Sequence, residues 1–428
     1  MATEIKISIP DSIKENIYAY RLSHFLKLCG RTYSGNKQDL IQRIEVNLTE
    51  DNFRGKFLEF LAEELSNGRN RQMFISKFEL SNLAVLRNNN SVKANLAAGN
   101  FPNLPFNNLL KEELNDGEMV FLHIENDPTD SNKVLKIKMC FYKEIIPSDQ
   151  YNGDREIFQD YVWIDILTEE QLILLKIRPH TRQYLTNLHT SKKTYEDVFS
   201  SLKGIFPLTI INMEYTKQVL YTIFKDLTEL AEQPYRESIQ QHIDKADDFH
   251  TQFLPLLGIQ KEEDIQEIKT RYSRLIERTL IVNDIENYLT YHSNRIGIVE
   301  RIALKDLSGA SANVLSGDSD GLDVADFYFD IRETIDNMKK LDKLWVKWFL
   351  YTDHLSVSDA QIELLPEEDD EEVDIQSVDE EHTIVTRFEV TKDYVIINFM
   401  KKPFVSKEVQ DYVLSRFNEF EEKTNQHS

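Results

Sequence analysis

The chain has 428 residues, 41% of them hydrophobic and 11% aromatic, with 73 acidic against 50 basic side chains and a formal charge of −23. That apolar and aromatic content excludes an intrinsically disordered chain, and the length suffices for about three domains with cores of their own. Two cysteines, Cys29 and Cys140, without CxxC spacing exclude a disulfide framework and a cysteine zinc site.

In chain order, the first predicted elements form a helical hairpin within a helical domain over 1–87. Leu22, Phe25, Leu26 and Cys29 recur at i, i+3, i+4 and i+7, one face of a helix that Gly30 ends in a left-handed cap. Ser34 is the expected N-cap of a second helix, with Leu40, Ile41 and Ile44 as its inward stripe. Between Tyr20 and Arg43 five basic residues (Arg21, Lys27, Arg31, Lys37, Arg43) meet one acid, Asp39, so the segment is locally positive. The pattern Gly30-x-x-x-Ser34-Gly35-x-Lys37-x-x-Leu40-Ile41-x-Arg43-Ile44 resembles the SAP motif, a helix-turn-helix module that binds duplex DNA. The resemblance spans about residues 20–48 and implies Arg31, Ser34, Gly35, Lys37 and Arg43 as the DNA-facing residues. It leaves the rest of the chain unassigned.

Further on, Phe53–Leu65 and Arg71–Leu86 read as two more amphipathic helices. The Asn-, Gly- and Pro-rich stretch over 88–117 reads as a linker or extended segment. A β-rich region over 118–180 carries four alternating runs, Met119–Ile124, Val134–Tyr142, Tyr161–Leu167 and Gln171–Arg178, expected to pair antiparallel. Over 194–355 the period changes to about 3.6, giving helices at Tyr195–Leu202, Asn212–Ala231, Tyr235–Leu257 and Glu262–His292. Short strands at Ile298–Leu307 and Ala312–Leu315 precede a helix at Phe327–Tyr351 carrying Trp345 and Trp348, read as packing residues. An acidic linker over 362–382 follows, with eleven acids and no Lys or Arg in Glu363–Glu381. A hairpin of Thr383–Val390 and Tyr394–Met400 and a helix at Ser406–Glu422, capped by Ser406, make up the region 383–424. The expected fold class is α+β.

Catalytic signatures are absent from the text of the sequence. No GxxxxGK[ST], GxGxxG or GxSxG occurs, and no histidine pair has HExxH spacing, so the expectation is no cofactor, no metal and no assigned catalytic residue. His180, His189, His242 and His250 are the nearest approach to a cluster. Ser316–Asp326 matches a calcium loop at Asp318, Asp320 and Gly321 but has Ser316 first and Phe327 where a bidentate Glu is needed. Asp165 and Lys176, on adjacent expected strands, loosely imitate the acid-and-lysine arrangement of a metal nuclease.

The N-terminus MATEIKISIPDSIKEN has neither a basic n-region nor an apolar h-region, and no run of eighteen apolar residues occurs. The expectation is a cytoplasmic, non-membrane protein, nucleoid-associated if bacterial, bound to double-stranded DNA through the hairpin. Protein partners or a homo-oligomer are expected for the body, as in a subunit of a nucleic-acid machine such as an antiviral defence complex. The alternatives are a diverged metal-dependent nuclease and an acidic adaptor that binds protein.

Overall fold

The computed structural model describes residues 7–145, 157–180, 190–284, 287–288, 296–305, 309, 311–316, 321–322, 326–350 and 383–426. In chain order α1 (Asp11–Asn16), α2 (Ala19–Leu28), α3 (Lys37–Asn47) and α4 (Asp51–Ser66) precede β1 (Gln72–Glu79). Then α5 (Ala84–Arg87), α6 (Asn89–Ala98) and β2 (Phe106–Asn107) lead into β3 (Met119–Asn126), β4 (Val134–Ile145), β5 (Phe158–Leu167) and β6 (Leu172–Ile177). Next come α7 (Ser191–Ile205), β7 (Thr209–Ile210), α8 (Thr216–Gln240), α9 (Ile243–Phe253) and α10 (Glu262–Asn283). The last described elements are β8 (Gly297–Lys305), β9 (Ser311–Leu315), α11 (Asp326–Met338), β10 (Lys343–Phe349), β11 (Thr383–Val390), β12 (Val395–Met400) and α12 (Lys407–Gln426). The class is α+β, as expected. The chain divides into two units, one of Met1–Glu214, Leu350–Ile384 and Val390–Ser415, the other of Tyr215–Phe349, Val385–Glu389 and Arg416–Ser428.

The first unit is built on an antiparallel sheet in the order β2-β3-β4-β5-β6-β1-β12. Side chains alternate across each strand, so each face of the sheet collects its own core. One face buries Ile137, Met139, Ile164, Ile166, Ile173 and Leu175 against Val92 and Leu96 of α6 and Tyr195, Phe199 and Leu202 of α7. The other buries Cys140, Tyr161 and Trp163 against α1 to α4, with Leu26, Ile44, Phe57 and Leu61 wholly enclosed. Phe57 lies at the centre of this second core, its ring centroid 5.2 Å from Phe25 and 6.0 Å from Phe60.

The second unit has strands in the order β11-β10-β8-β9, with the Val385–Glu389 part of β11 beside β10. On β10 Leu344, Val346 and Trp348 are fully buried while the residues between them are half-buried, the period-two pattern of a strand. The Trp348 indole N–H donates to Thr386 Oγ1 at 2.7 Å. An ionic cluster ties the helices together. The buried Glu232 carboxylate of α8 lies between Arg236 and Arg332 of α11 and accepts from the Tyr328 hydroxyl at 3.1 Å, while Arg236 Nε reaches Glu277 of α10 at 2.9 Å. A buried carboxylate needs such partners, because leaving it unpaired costs several kcal/mol.

Several expectations are corrected. Arg71–Leu86 is the strand β1 followed by the short α5; Met73, Phe74, Ile75 and Phe78 are all buried, and apolar residues on both faces of a central strand imitate helical spacing. The expected linker at 88–117 is folded: Asn88 caps α6 by accepting from the Ser91 amide at 3.1 Å, and Val92 and Leu96 anchor its inner face. The expected break near Pro234 is absent, and α8 runs through to Gln240 with Glu232 and Tyr235 buried on either side of the proline. The expected helix Phe327–Tyr351 is α11 and then β10, which puts Trp345 and Trp348 on opposite faces of a strand. The four strands over 118–180, the helices α4, α7 and α10, and the strands β8, β9, β11 and β12 form where expected, give or take a few residues. The acidic block Glu363–Glu381 and His189 lie outside the described residues.

Replacing Phe57 by Ala should cost about 3–5 kcal/mol of unfolding free energy, the usual range for a fully buried aromatic. The exposed Val46→Ala, on α3, should change it by less than about 0.5 kcal/mol. Urea unfolding of the two variants measures both; a Phe57→Ala loss under about 1 kcal/mol would contradict the placement of this core.

Candidate functional site

The helical hairpin forms, with a definite stop and a definite start. Gly30, at φ 67°, closes α2: its N–H bonds the Lys27 carbonyl at 3.0 Å and the Arg31 N–H bonds Leu26 at 2.9 Å, the paired bonds of a Schellman motif. The start of α3 corrects the expectation, because Asn36 and not Ser34 is the N-cap. Asn36 Oδ1 accepts from the Asp39 amide at 3.0 Å and Asp39 Oδ2 accepts from the Asn36 amide at 3.2 Å, a reciprocal capping box. Ser34 and Gly35 are exposed in the turn. Gly35 sits at φ 128°, and a Cβ there would come within 2.9 Å of Asp39 Oδ2, so the turn requires glycine.

The three basic residues singled out by the sequence diverge. Arg31 forms a two-pronged pair with Glu50 at 2.7 and 2.9 Å. Arg43 folds back to donate to the Ser34 carbonyl and, at 3.4 Å, to that of Thr32, which braces the turn. Lys37 is half-buried and lies in the field of another cation. Burial and the neighbouring Arg69 both lower its pKa, and only Glu15 opposes them.

Arg69 opens a basic cluster that the sequence reading missed. Its guanidinium lies 4.3 Å over the Tyr18 ring, which stacks on Tyr20 at 5.8 Å. Burial lowers the pKa values of Arg69 and Arg71, with Arg178 adding repulsion to each. Arg178 donates to Asn16 Oδ1 at 2.9 Å and lies 3.5 Å from the buried Asp160, which also bonds His180. Among the described residues the Nε atoms of Arg69 and Arg71 are buried without hydrogen-bond partners. Four cations, Lys37, Arg69, Arg71 and Arg178, thus share a region where Asp160 and Glu15 are the acids that enter the balance. Buried donors and unbalanced charge of this kind are costly until an anion meets them.

A second charged group lies in an open cleft of about 720 Å³ on the α4 side of the sheet. Lys136 and Lys138 of β4, Asp165 of β5 and Lys176 of β6 share this face, since Lys138 stands opposite Asp165 and Trp163 opposite Lys176. Lys136 pairs with Asp165 at 3.1 Å. Lys138 Nζ donates to Ser66 Oγ at 3.2 Å and lies 4.9 Å over the Trp163 ring. Lys176 Nζ donates to Asn67 Oδ1 at 2.7 Å. Burial would raise the Asp165 pKa, but the charges of Lys176, Lys136 and Lys138 together hold it below the usual carboxylate range. Burial likewise pulls the Lys176 ammonium down to about 8, with Lys138 and Lys136 reinforcing the shift against Asp165 and Asp411.

Asp165 lies among three ammonium groups, Lys136, Lys138 and Lys176, and no group of three or more His, Cys, Asp or Glu suited to a metal exists among the described residues. His180 is spent on Asp160, and His250 donates from Nδ1 to the Ala246 carbonyl of its own helix at 3.0 Å. No described helix is long and apolar enough to cross a membrane. No protein-family model and no curated protein matches the chain.

Signals for the missed residues were present in short form. Arg69-x-Arg71 stands immediately before the apolar run Met73-Phe74-Ile75, Arg178 immediately after LILLKI, and Lys136-x-Lys138 alternates within a strand. Each needs the strand register to acquire its meaning.

The depressed Lys176 value has a sign. From about pH 8 to 10.5 the unfolded chain holds a proton that the folded chain has released, so this group's contribution to stability rises with pH across that window and is flat below it. The stability difference between the wild type and Lys176→Met should therefore move in favour of the wild type between pH 8 and 10. Equal slopes in urea unfolding at pH 7, 8, 9 and 10 would contradict the assignment.

Proposed function

We propose that the protein is a nucleic-acid-associated, non-enzymatic subunit whose N-terminal unit holds phosphates through Lys37, Arg69, Arg71 and Arg178. The observation that carries this reading is the convergence of these four cations, partly desolvated and under-balanced, in a chain of net charge −23. Phosphate-bearing polymers supply the missing negative charge, and guanidinium groups match phosphate oxygens with paired N–H donors. The SAP-like hairpin contributes Lys37 and the exposed Ser34–Gly35 turn, with duplex DNA as the ligand that the resemblance implies. Arg31 and Arg43 act as braces of the hairpin in this reading, held by Glu50 and by the turn carbonyls; Arg71 also donates through Nη1 to the Lys402 carbonyl at 2.8 Å and Arg178 lies by Asp160, but Arg69 and Arg71 keep a buried Nε without a partner among the described residues.

The rest of the body is read as a surface for protein partners or a second copy. Phe249, Phe253, Leu256, Leu257, Tyr272 and Leu275 on and around α9 and α10 are large, apolar and exposed, and Phe249 stacks on Phe253 at 5.3 Å. Apolar groups gathered on one surface favour interaction with another macromolecule. An anti-phage defence complex is one setting for such a subunit.

Binding of a fluorescent AT-rich duplex by the full chain tests the reading. With four phosphate contacts the plot of log K against log salt should fall with a slope of roughly −3 to −4, at about −0.9 per contact. Lys37→Glu and Arg69→Gln should each weaken binding by about tenfold at low salt and flatten the slope by about one contact. Arg31→Ala should leave affinity within about twofold. Undiminished binding by both Lys37→Glu and Arg69→Gln would sink the proposal; a preference for single strands would replace duplex DNA as the ligand.

A further inference from the structure

We propose that Lys176 is the amine nucleophile of a second site, forming an imine with a small carbonyl compound whose anionic group is held by Lys136 and Lys138. The argument begins with burial. Lys176 is 6% exposed at the floor of the 720 Å³ cleft, and its hydrogen-bond partner there is a neutral amide oxygen, Asn67 Oδ1. A structural lysine buried for stability is normally matched by a carboxylate of its own; here Lys176 shares the field of Asp165 with Lys136, which pairs with that carboxylate at 3.1 Å. The charged groups that line the cleft with Lys176 are Lys136 and Lys138 from β4, Asp165 from β5, Glu59 and Glu63 from α4, Lys407 and Asp411 from α12, and His123 and Glu125 from β3. Lys136 and Lys138, two strands away on β4 across β5, add repulsion that favours the neutral amine, the only form with a lone pair to attack carbon. Asp165 supplies the second, independent sign of a ligand: its Oδ1 is buried without a hydrogen-bond partner among the described residues and lies at the cleft.

The chemistry balances without a redox partner. The Lys176 nitrogen attacks the carbonyl carbon, the carbon–oxygen π bond opens, and a proton passes from nitrogen to oxygen to give a carbinolamine. Loss of hydroxide, protonated to water, leaves the C=N bond. The Asp165 carboxylate, held ionised by the lysines, accepts and returns the proton within this step. Lys136, 30% exposed at its side chain, and Lys138 then face the substrate's carboxylate or phosphate. Met73, Phe106, Phe121 and Leu174 line the remainder, so the compound is small with an apolar portion.

The test uses the full chain and pyridoxal 5′-phosphate as an anionic aldehyde probe, reduced with borohydride at pH 8 and mapped by peptide mass spectrometry. With probe below one equivalent, Lys176 should carry the reduced adduct roughly tenfold ahead of the exposed Lys192, because more of its amine is unprotonated at that pH. Inorganic phosphate and Lys138→Met should each slow the labelling several-fold, and Lys176→Met should abolish it at this position. Mapping the wild-type chain needs no variant to fold. An unmodified Lys176 while surface lysines react would overturn the proposal; equal labelling by acetaldehyde, with no protection by phosphate, would overturn the anion-holding role of Lys136 and Lys138.

Discussion

β1 is hydrogen-bonded along both edges, and the positions of both charged clusters follow from its register. Gln72 stands opposite Ile177 on β6 and opposite Asn398 on β12, and Met73 stands opposite Lys176. One step before the strand the same register brings Arg69 and Arg71 to the end of β6, where Arg178 leaves the sheet. A slip of one residue would exchange the faces of every side chain on β1. Met73 would leave the cleft and Phe74 would leave the core it shares with Tyr195 and Tyr394. Phe74, whose ring lies 5.4 Å from one and 5.1 Å from the other, makes that slip expensive.

The first unit thus gathers cations twice, by different means. In the cleft, lysines of β4 and β6 share one face with the Asp165 carboxylate of β5 between them; at the strand end, arginines from the approach to β1 and the exit of β6 lie in the same field as Lys37 of the hairpin. At an effective dielectric near 20, unit charges about 4 Å apart interact by about 4 kcal/mol, comparable with a large part of a domain's net stability. Uncompensated repulsion on that scale is retained at a cost to folding. The arginines stay charged whatever their surroundings and so suit a permanent anion, whereas a buried lysine can give up its proton. That difference separates the two proposals, a phosphate-holding surface at the strand end and a reactive amine in the cleft.

The second unit resolves buried charge the opposite way. Glu232 has Arg236, Arg332 and Tyr328 about it, and Arg274 and Tyr221 reach the half-buried Asp336 at 2.9 and 3.1 Å, so these two carboxylates each have at least two donors. α9 and α10 leave Phe249, Phe253, Tyr272 and Leu275 exposed among charged side chains such as Glu262, Glu267 and Arg271.

Local patterns were enough for the hairpin, the alternating strands of 118–180 and the α+β class. Leu22, Phe25 and Leu26 face inward because helical spacing puts them together, and Gly30 ends the helix because its backbone takes a positive φ without strain. Asn36 over Ser34 as the cap was a local matter too, decided by which side chain reaches the Asp39 amide. Three things were beyond local reading. The apolar run of β1 is compatible with helix or strand until β6 and β12 offer their edges, and the Trp345–Trp348 segment is compatible with either until Thr386 meets the indole. The partners of Arg31 and Arg43 depend on where the turn and Glu50 come to rest. Above all, the meeting of Lys37 with Arg69, and of Lys176 with Lys138, joins residues far apart in the chain. Sequence supplies the charges, but only pairing across strands and helices decides which are neutralised and which are left to act.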